Sequence, residues 1–388
     1  MKENEDFEMV ATTLFGLEEV LSNELKTLGA KDIKFLKRAV SFVGDKGFMY
    51  KANYCLRTAL RILKPIASFT VSDDHNLYTR IQTIDWSTYL SVNDLLAVSC
   101  SLNTDIFNHT QYISQKTKDA IVDQFRAKTG LRPSVDLDNP KIRIHIHIDG
   151  NLCTVSLDSS GQPLYKRGYR KSVDLAPLNE SLAAGLIIMS GWKPSVPFID
   201  PMCGSGTLAI EAGLMAANVP PGYFRESFGF QKWDDYDAPL FELIAESAIA
   251  KINNNHYTIK CSDASAQVIE KAKLNIKQAG LEDMIQVEVG YFEQLPSPET
   301  PVFLVMNPPY GERLVQEDIN ALYKNIGSTL KQKYQGSQAW IISSNKEAVN
   351  NIGLHHSRRI TLFNGALECK FLRYDMYAGS KKGKYIQS

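Results

Sequence analysis

The sequence predicts an α/β protein. Its second half reads as a Rossmann-like, doubly wound domain with a C-terminal antiparallel hairpin, and two smaller α+β domains precede it. Three observations carry this reading. From Val196 onward, apolar strands alternate with amphipathic helices. The first 65 residues run strand, helix, strands, helix, an order that suits a compact α+β layer, and residues 66–165 form another unit. Near the C-terminus, the runs RRITLF and ALECKFLRY are joined at Asn364-Gly365, a type I′ turn signal.

The elements follow in order. Phe7–Leu14 suits a strand. Leu17, Val20, Leu21, Leu25 and Leu28 recur at helical spacing, and Gly29 stops the run. Ile33–Val43 alternates loosely like strands, and Tyr50–Leu63 reads as a helix ended by Pro65. Asp73 to Trp86 reads as a loop and a helix start, Leu95–Leu102 as a strand and Gln111–Lys128 as an amphipathic helix. KIRIHIHID (Lys141–Asp149) alternates strictly, with four isoleucines on one face and Arg143, His145, His147 and Asp149 on the other. Gly150-Asn151 signals a turn into the strand Leu152–Leu157. Glu180–Met189 is a helix. Then come VPFID, a helix after Gly206, YTIKCSD, a helix to Gly280, IQVEV, VFLVM, a helix near Leu322–Tyr334, and AWIISSN. The tail GSKKGKYIQS is expected to be loose.

Composition excludes several classes. Lys+Arg and Asp+Glu are 43 each, so binding of nucleic acid through bulk charge is excluded, though a local basic patch is not. The 17 Phe, 17 Tyr and 4 Trp argue against disorder. No apolar run reaches about 18 residues, so no membrane span is expected. MKENEDFEMV is acidic and mixed, unlike a secretory leader. The six cysteines are scattered without a CxxC pair, which favours reduced thiols in the cytoplasm over a zinc site or disulfide framework. His145 and His147 lack Asp or Cys partners at ligand spacing, so a polar sheet face is expected there, and no metal.

Three motifs carry chemistry. In FIDPMCGSGTLAIEAG (Phe198–Gly213), a strand ends in Asp200, a turn carries Gly204 and Gly206, and a helix opens near Thr207. The turn lets backbone approach a ligand, and the helix start offers free N–H groups. GxGxxG and a P-loop lysine are absent. An acid before the turn repels phosphate and attracts ammonium, which suits the methionine end of S-adenosylmethionine. The competing reading is a structural turn. The next strand ends in Asp263, whose carboxylate suits two ribose hydroxyls or, alternatively, caps a helix. After VFLVM comes Asn307-Pro308-Pro309-Tyr310-Gly311. The prolines remove N–H donors, so carbonyls and the Asn oxygen form an acceptor array for an exocyclic amine, on whose ring Tyr310 can stack. Holding both N–H groups localises the amine's lone pair, a positional and electrostatic form of catalysis.

Through DPMCGSGT and NPPYG the chain resembles class I S-adenosylmethionine-dependent amino-methyltransferases. It is similar over nearly its whole length to bacterial RNA methyltransferases with an N-terminal THUMP domain, the 23S rRNA guanine-N2 methyltransferases. KRGYR (Lys166–Arg170), APLNESLAA (Ala176–Ala184), NPPYGERL (Asn307–Leu314) and NGALECKF (Asn364–Phe371) carry the likeness. The resemblance implies a ferredoxin-like domain over 1–65, a THUMP domain over 66–165, a connector and helix over 166–195, and a class I methyltransferase domain over 196–380. It implies structured RNA as partner, 23S rRNA or a large-subunit assembly intermediate. Asp200, Pro201, Cys203, Gly204, Gly206 and Thr207 would hold the cofactor's methionine part and Asp263 its ribose. Asn307, Pro308, Pro309 and Tyr310 would hold the target amine and base. Lys166, Arg167, Tyr169 and Arg170 would touch RNA.

Two departures stand out. Where many relatives have an acid after the third strand for the adenine amino group, this chain has Tyr291, which leaves backbone or Glu293 for that contact. An insertion over Ala217–Asn255, with Pro220-Pro221-Gly222 and several aromatics, is expected to form part of the RNA site. The alternatives keep the chemistry on tRNA guanine or on adenine N6 of DNA or RNA. A third, resting on Tyr291 alone, is an RNA-binding module without activity.

Overall fold

The computed structural model describes residues 5–170, 178–309 and 316–377. The chain forms two compact units. One holds the residues up to Thr13, Ser22–Leu164 and Arg225–Ser247; the other holds Leu14–Leu21, Tyr165–Phe224 and the chain from Ala248 on.

The elements up to Asp158 are β1 (Phe7–Thr13), α1 (Glu18–Leu28), β2 (Lys31–Leu36), β3 (Ala39–Gly44), α2 (Lys46–Cys55), β4 (Ala59–Thr70), α3 (Asp74–Gln82), β5 (Leu95–Asn103), α4 (Thr110–Thr129), β6 (Ser134–Val135), β7 (Ile142–Asp149) and β8 (Leu152–Asp158). One eight-stranded sheet runs β2-β3-β1-β4-β8-β7-β5-β6. On β7 the four isoleucines are buried, as strict alternation requires. α4 turns Ile113, Thr117, Ala120, Ile121 and Phe125 inward, and Gly130 ends it at φ 75°. On the opposite face of β5 and β7, Ser99 Oγ meets His145 Nδ1 at 3.0 Å, and Ser101 Oγ meets His145 Nε2 at 3.0 Å and His147 Nδ1 at 2.8 Å. Burial pushes the His145 pKa down to about 4, with His147 and Arg61 adding to it.

The expected helix over Tyr50–Leu63 is corrected. α2 stops at Cys55, where Leu56 turns extended, and the chain enters β4. An apolar run this short suits either period, and pairing with β1 decides for strand: Val10 lies opposite Leu63 and Ala11 opposite Ile62. Pro65 lies inside β4 at the register shift against β8, where a missing N–H is tolerated. The position dividing the first two domains thus falls within a strand of a continuous sheet.

The later elements are α5 (Glu180–Ser190), β9 (Phe198–Asp200), α6 (Thr207–Ala216), α7 (Ala238–Ile249), β10 (Ile259–Asp263), α8 (Ala266–Gln278), β11 (Ile285–Val289), β12 (Phe303–Met306), α9 (Gln316–Lys333), β13 (Gln338–Ser343), α10 (Lys346–Asn351), β14 (Arg358–Asn364) and β15 (Leu367–Asp375). The second sheet runs β11-β10-β9-β12-β13-β15-β14, parallel through β13 and antiparallel at the closing hairpin. Its inner strands β9, β12 and β13 are buried on both faces. Phe303, Val305, Trp340 and Ile342 join the core with α5, α6 and α8, while Leu304, Met306, Ala339 and Ile341 face that of α9 and α10. Asn364 pairs with Leu367, so the hairpin loop is Gly365-Ala366, one residue beyond the expected dipeptide, with Gly365 at φ 63°.

The insertion splits between the units: Phe228, Phe230 and Trp233 are core residues of the first, whereas Tyr223, in the second, is exposed. Phe230 stacks on Tyr50 at 4.3 Å and on Phe228 at 5.4 Å, and Phe241 packs edge-on against Phe230 at 5.3 Å. Arg225 donates to the carbonyls of Ser160, Gln162 and Pro163. A Cβ on Gly229 would lie 2.7 Å from the Gly161 nitrogen, so this approach requires glycine. Pro220, Pro221 and Gly222 are buried as well. These rings and prolines are therefore not offered to RNA, contrary to expectation. Phe230→Ala is expected to cost about 3–5 kcal/mol in urea unfolding. A loss below about 1 kcal/mol would mean that the insertion does not stabilise this unit.

Candidate active site

β9 pairs with β10 on one side and β12 on the other, so the strand order reverses there. A crevice opens beyond the carboxyl ends of strands at such a point. Asp200 closes β9, Asp263 closes β10, and Asn307 follows β12.

The turn after β9 is held by its neighbours. The Cys203 N–H donates to the Ser262 carbonyl at 2.9 Å, and the Gly206 N–H to the Cys203 carbonyl at 2.9 Å. Asp263 Oδ2 accepts from the Gly204 N–H at 3.1 Å and Oδ1 from the Ser265 N–H at 3.0 Å. Each oxygen keeps a further lone pair for a ligand hydroxyl. The Asn275 amide donates to the Ser205 carbonyl at 3.1 Å. Gly204 and Gly206 take φ 52° and 86°, a region costly for other residues. Nothing lies within 4 Å of where a Gly204 Cβ would stand, so that side of the turn is open. α6 starts on Gly206 without a side-chain cap, which leaves N–H groups free for an anion. Pro201 and Cys203 are buried, and the thiol pKa is raised by the neighbouring Cys261 and by burial.

Asp200 is fully buried, and among the described residues neither carboxylate oxygen has a hydrogen-bond partner. Burial drives its pKa well above the carboxylate range, and Asp263 adds to the rise. The Met202 N–H opposes it without making a well-aligned bond. Asn307 Oδ1 is also buried, without a donor among the described residues. Pro308 is buried and Pro309 exposed. Tyr310 lies outside the described residues, as do 171–177, most of NPPYGERL and the expected loose tail. Tyr291 and Glu293 are exposed beyond β11.

The connector departs from expectation. Lys166 is exposed, but Arg167 and Tyr169 are each 1% exposed, out of reach of a phosphate. Arg167 Nε lies 3.5 Å from Glu211 Oε1, to which the Tyr169 hydroxyl donates at 3.1 Å. Arg170 donates to Glu180 Oε1 at 2.9 Å, Ser205 Oγ at 3.1 Å and Thr207 Oγ1 at 2.9 Å. The assignment of Arg167 and Tyr169 to RNA is thus replaced by internal pairing. Glu180, Glu211 and Asn275 were missed. A lone acid in TLAIEAGLMA was the available signal, since a carboxylate on an apolar helix needs a partner.

Among the described residues no three His, Cys, Asp or Glu side chains gather to hold a metal, and no helix is long and apolar enough to cross a membrane. None of the six cysteines forms a disulfide. Residues 8–63 match the RlmL ferredoxin-like domain, 71–158 the THUMP domain and 167–373 the RMKL-like methyltransferase domain. The chain belongs to the RMKL-like methyltransferase family. Within this family's reach, slr0064 of Synechocystis sp., a candidate RNA methyltransferase by name, is 39% identical over 95% of this chain and 96% of its own length. The ribosomal RNA large subunit methyltransferase K/L of Syntrophotalea carbinolica is 37% identical over 94% of this chain and 53% of its own. The chain thus spans about half the length of that relative. The crystal structure of SMU.472, a candidate methyltransferase complexed with S-adenosylhomocysteine, is similar at TM-score 0.85 and 28% identity, over 98% of this chain and 100% of that one.

Because the Asp200 pKa is raised on folding, the folded chain keeps a proton that the unfolded chain loses above about 3.8. This site's contribution to stability is full below that value and falls as pH rises towards the folded pKa. Asp200→Asn removes the loss, so the unliganded variant should exceed the wild type in urea unfolding by more at pH 8 than at pH 5. An unchanged difference would show that Asp200 does not carry the buried charge.

Proposed function

We propose that the chain methylates the exocyclic N2 amine of a guanine in 23S rRNA. S-adenosylmethionine is the cofactor and supplies an electrophilic methyl group when bound. The residues at the strand-order reversal fit it. Asp200 is a buried carboxyl that an arriving ammonium group would match, the open turn and the uncapped start of α6 suit a carboxylate, and Asp263 has lone pairs for ribose hydroxyls. Pro201, Cys203 and Thr207 shape that turn. Asn307 Oδ1 carries the reading: a buried acceptor without a donor among the described residues, followed by two prolines that have no N–H to offer. It accepts one amine N–H while the neighbouring carbonyls accept the other, which orients the nitrogen lone pair. Tyr310 supplies a ring for the base. Exposed Lys166 remains a candidate for phosphate contact. The THUMP match and the name of the K/L relative support RNA, and large-subunit rRNA in particular.

Purified protein, labelled S-adenosylmethionine, and rRNA, tRNA and DNA from cells lacking the gene test this reading. Label recovered as N2-methylguanosine in 23S rRNA is expected. Label in tRNA, or as N6-methyladenine, would keep methyl transfer and replace the substrate. Asn307→Ala should lower kcat by about a hundredfold or more, the scale of one lost transition-state hydrogen bond, with cofactor affinity kept. Equal loss of both would remove the role given to Asn307.

A further inference from the structure

The turn after β9 carries two left-handed glycines, and free in solution such a segment samples many conformations. Its ordering cost weakens any ligand unless the turn is ordered beforehand. Arg170 stands where that ordering is applied. Ser205 and Thr207 flank Gly206, and the guanidinium reaches both hydroxyls, with Nη1 on Ser205 and Nη2 on Thr207. Its Nε is fixed on Glu180, and Nη2 also reaches the Leu178 carbonyl at 3.4 Å. From the other side, Asn275 holds the Ser205 carbonyl. One turn further along α6, Arg167 and Tyr169 hold Glu211. The Arg170 side chain is only 11% exposed, and its donors are engaged within the protein.

We propose that Arg170 is a positioning residue for the cofactor turn: its guanidinium fork fixes Ser205 and Thr207 on either side of Gly206, so that the turn is formed before S-adenosylmethionine arrives. This rests on the reading of the turn as the cofactor's seat. The role belongs to the planar fork and not to the charge. A lysine keeps the charge but cannot span two hydroxyls and a carboxylate in one rigid geometry.

The test compares Arg170→Ala and Arg170→Lys in the full chain. Calorimetry gives the Kd for S-adenosylmethionine, steady-state assays give KM and kcat, and RNA affinity is measured over a salt series. Both variants should bind the cofactor about tenfold more weakly, the scale of one or two charge-assisted hydrogen bonds. KM for the cofactor should rise in step, while kcat at saturation, RNA affinity and its salt slope stay at wild-type values. Thr207→Val removes one partner of the fork with less risk to folding. It should weaken cofactor binding by a smaller factor, and the Arg170→Ala/Thr207→Val double variant should bind less weakly than additivity demands.

Unchanged cofactor affinity in Arg170→Ala would overturn the proposal. So would RNA affinity that falls in Arg170→Ala and recovers in Arg170→Lys, because that pattern marks a phosphate contact. So would additive effects in the double variant. A wild type that binds no S-adenosylmethionine would instead bring down the proposed function, and this inference with it.

Discussion

Three carboxylates are buried around α6: Glu211 on the helix, Glu180 at the start of α5, and Asp200 at the end of β9. A carboxylate out of water needs a partner or a proton. Arg167 and Tyr169 serve Glu211, and Arg170 serves Glu180. Among the described residues Asp200 has neither cation nor donor. That one unmatched acid sits where the strand order reverses, beside an open glycine turn and an uncapped helix. A buried carboxyl without a partner destabilises the unliganded chain, and it is the group proposed to receive an ammonium. The two left-handed glycines and the fork of Arg170 are arranged around the same point.

The connector and the insertion show how alike different roles look in a sequence. KRGYR has the composition of an RNA contact, yet two of its residues are interior and a third is paired internally. The deciding feature is the acids elsewhere in the chain, which no local pattern reveals. The insertion's aromatics likewise suggest a binding surface, but Phe228 and Phe230 fill a core with Tyr50 and Tyr54, residues distant in sequence. Aromatic content shows that rings will be buried or stacked; it does not show against what.

Most of the fold was legible because its periods are clean. β7 alternates, β12 is a short apolar run buried on both faces, and α4 shows its stripe. β4 was misread because Tyr50–Leu63 has no clean period, and its pairing with β1 is a long-range fact. Asp200, the glycine turn, Asp263 and Asn307 lie where the sequence pattern puts them, each at or just after a strand end. Glu180, Glu211 and Asn275 act through other residues, and their importance appears only once the elements pack. The match to the RMKL-like methyltransferase domain, residues 167–373, takes in Asp200, the glycine turn, Asp263 and Asn307.

Asp200, without a hydrogen-bond partner among the described residues, is the carboxyl proposed to receive the cofactor's ammonium group. The direct test titrates S-adenosylmethionine into the protein at about pH 6, where the ligand's ammonium is already charged. Two buffers of different ionisation enthalpy reveal any proton exchanged. A carboxyl whose raised pKa falls as an ammonium arrives must release protons, so net release is expected in the wild type and its loss in Asp200→Asn. Binding without proton release, or with the same release in both proteins, would contradict the account.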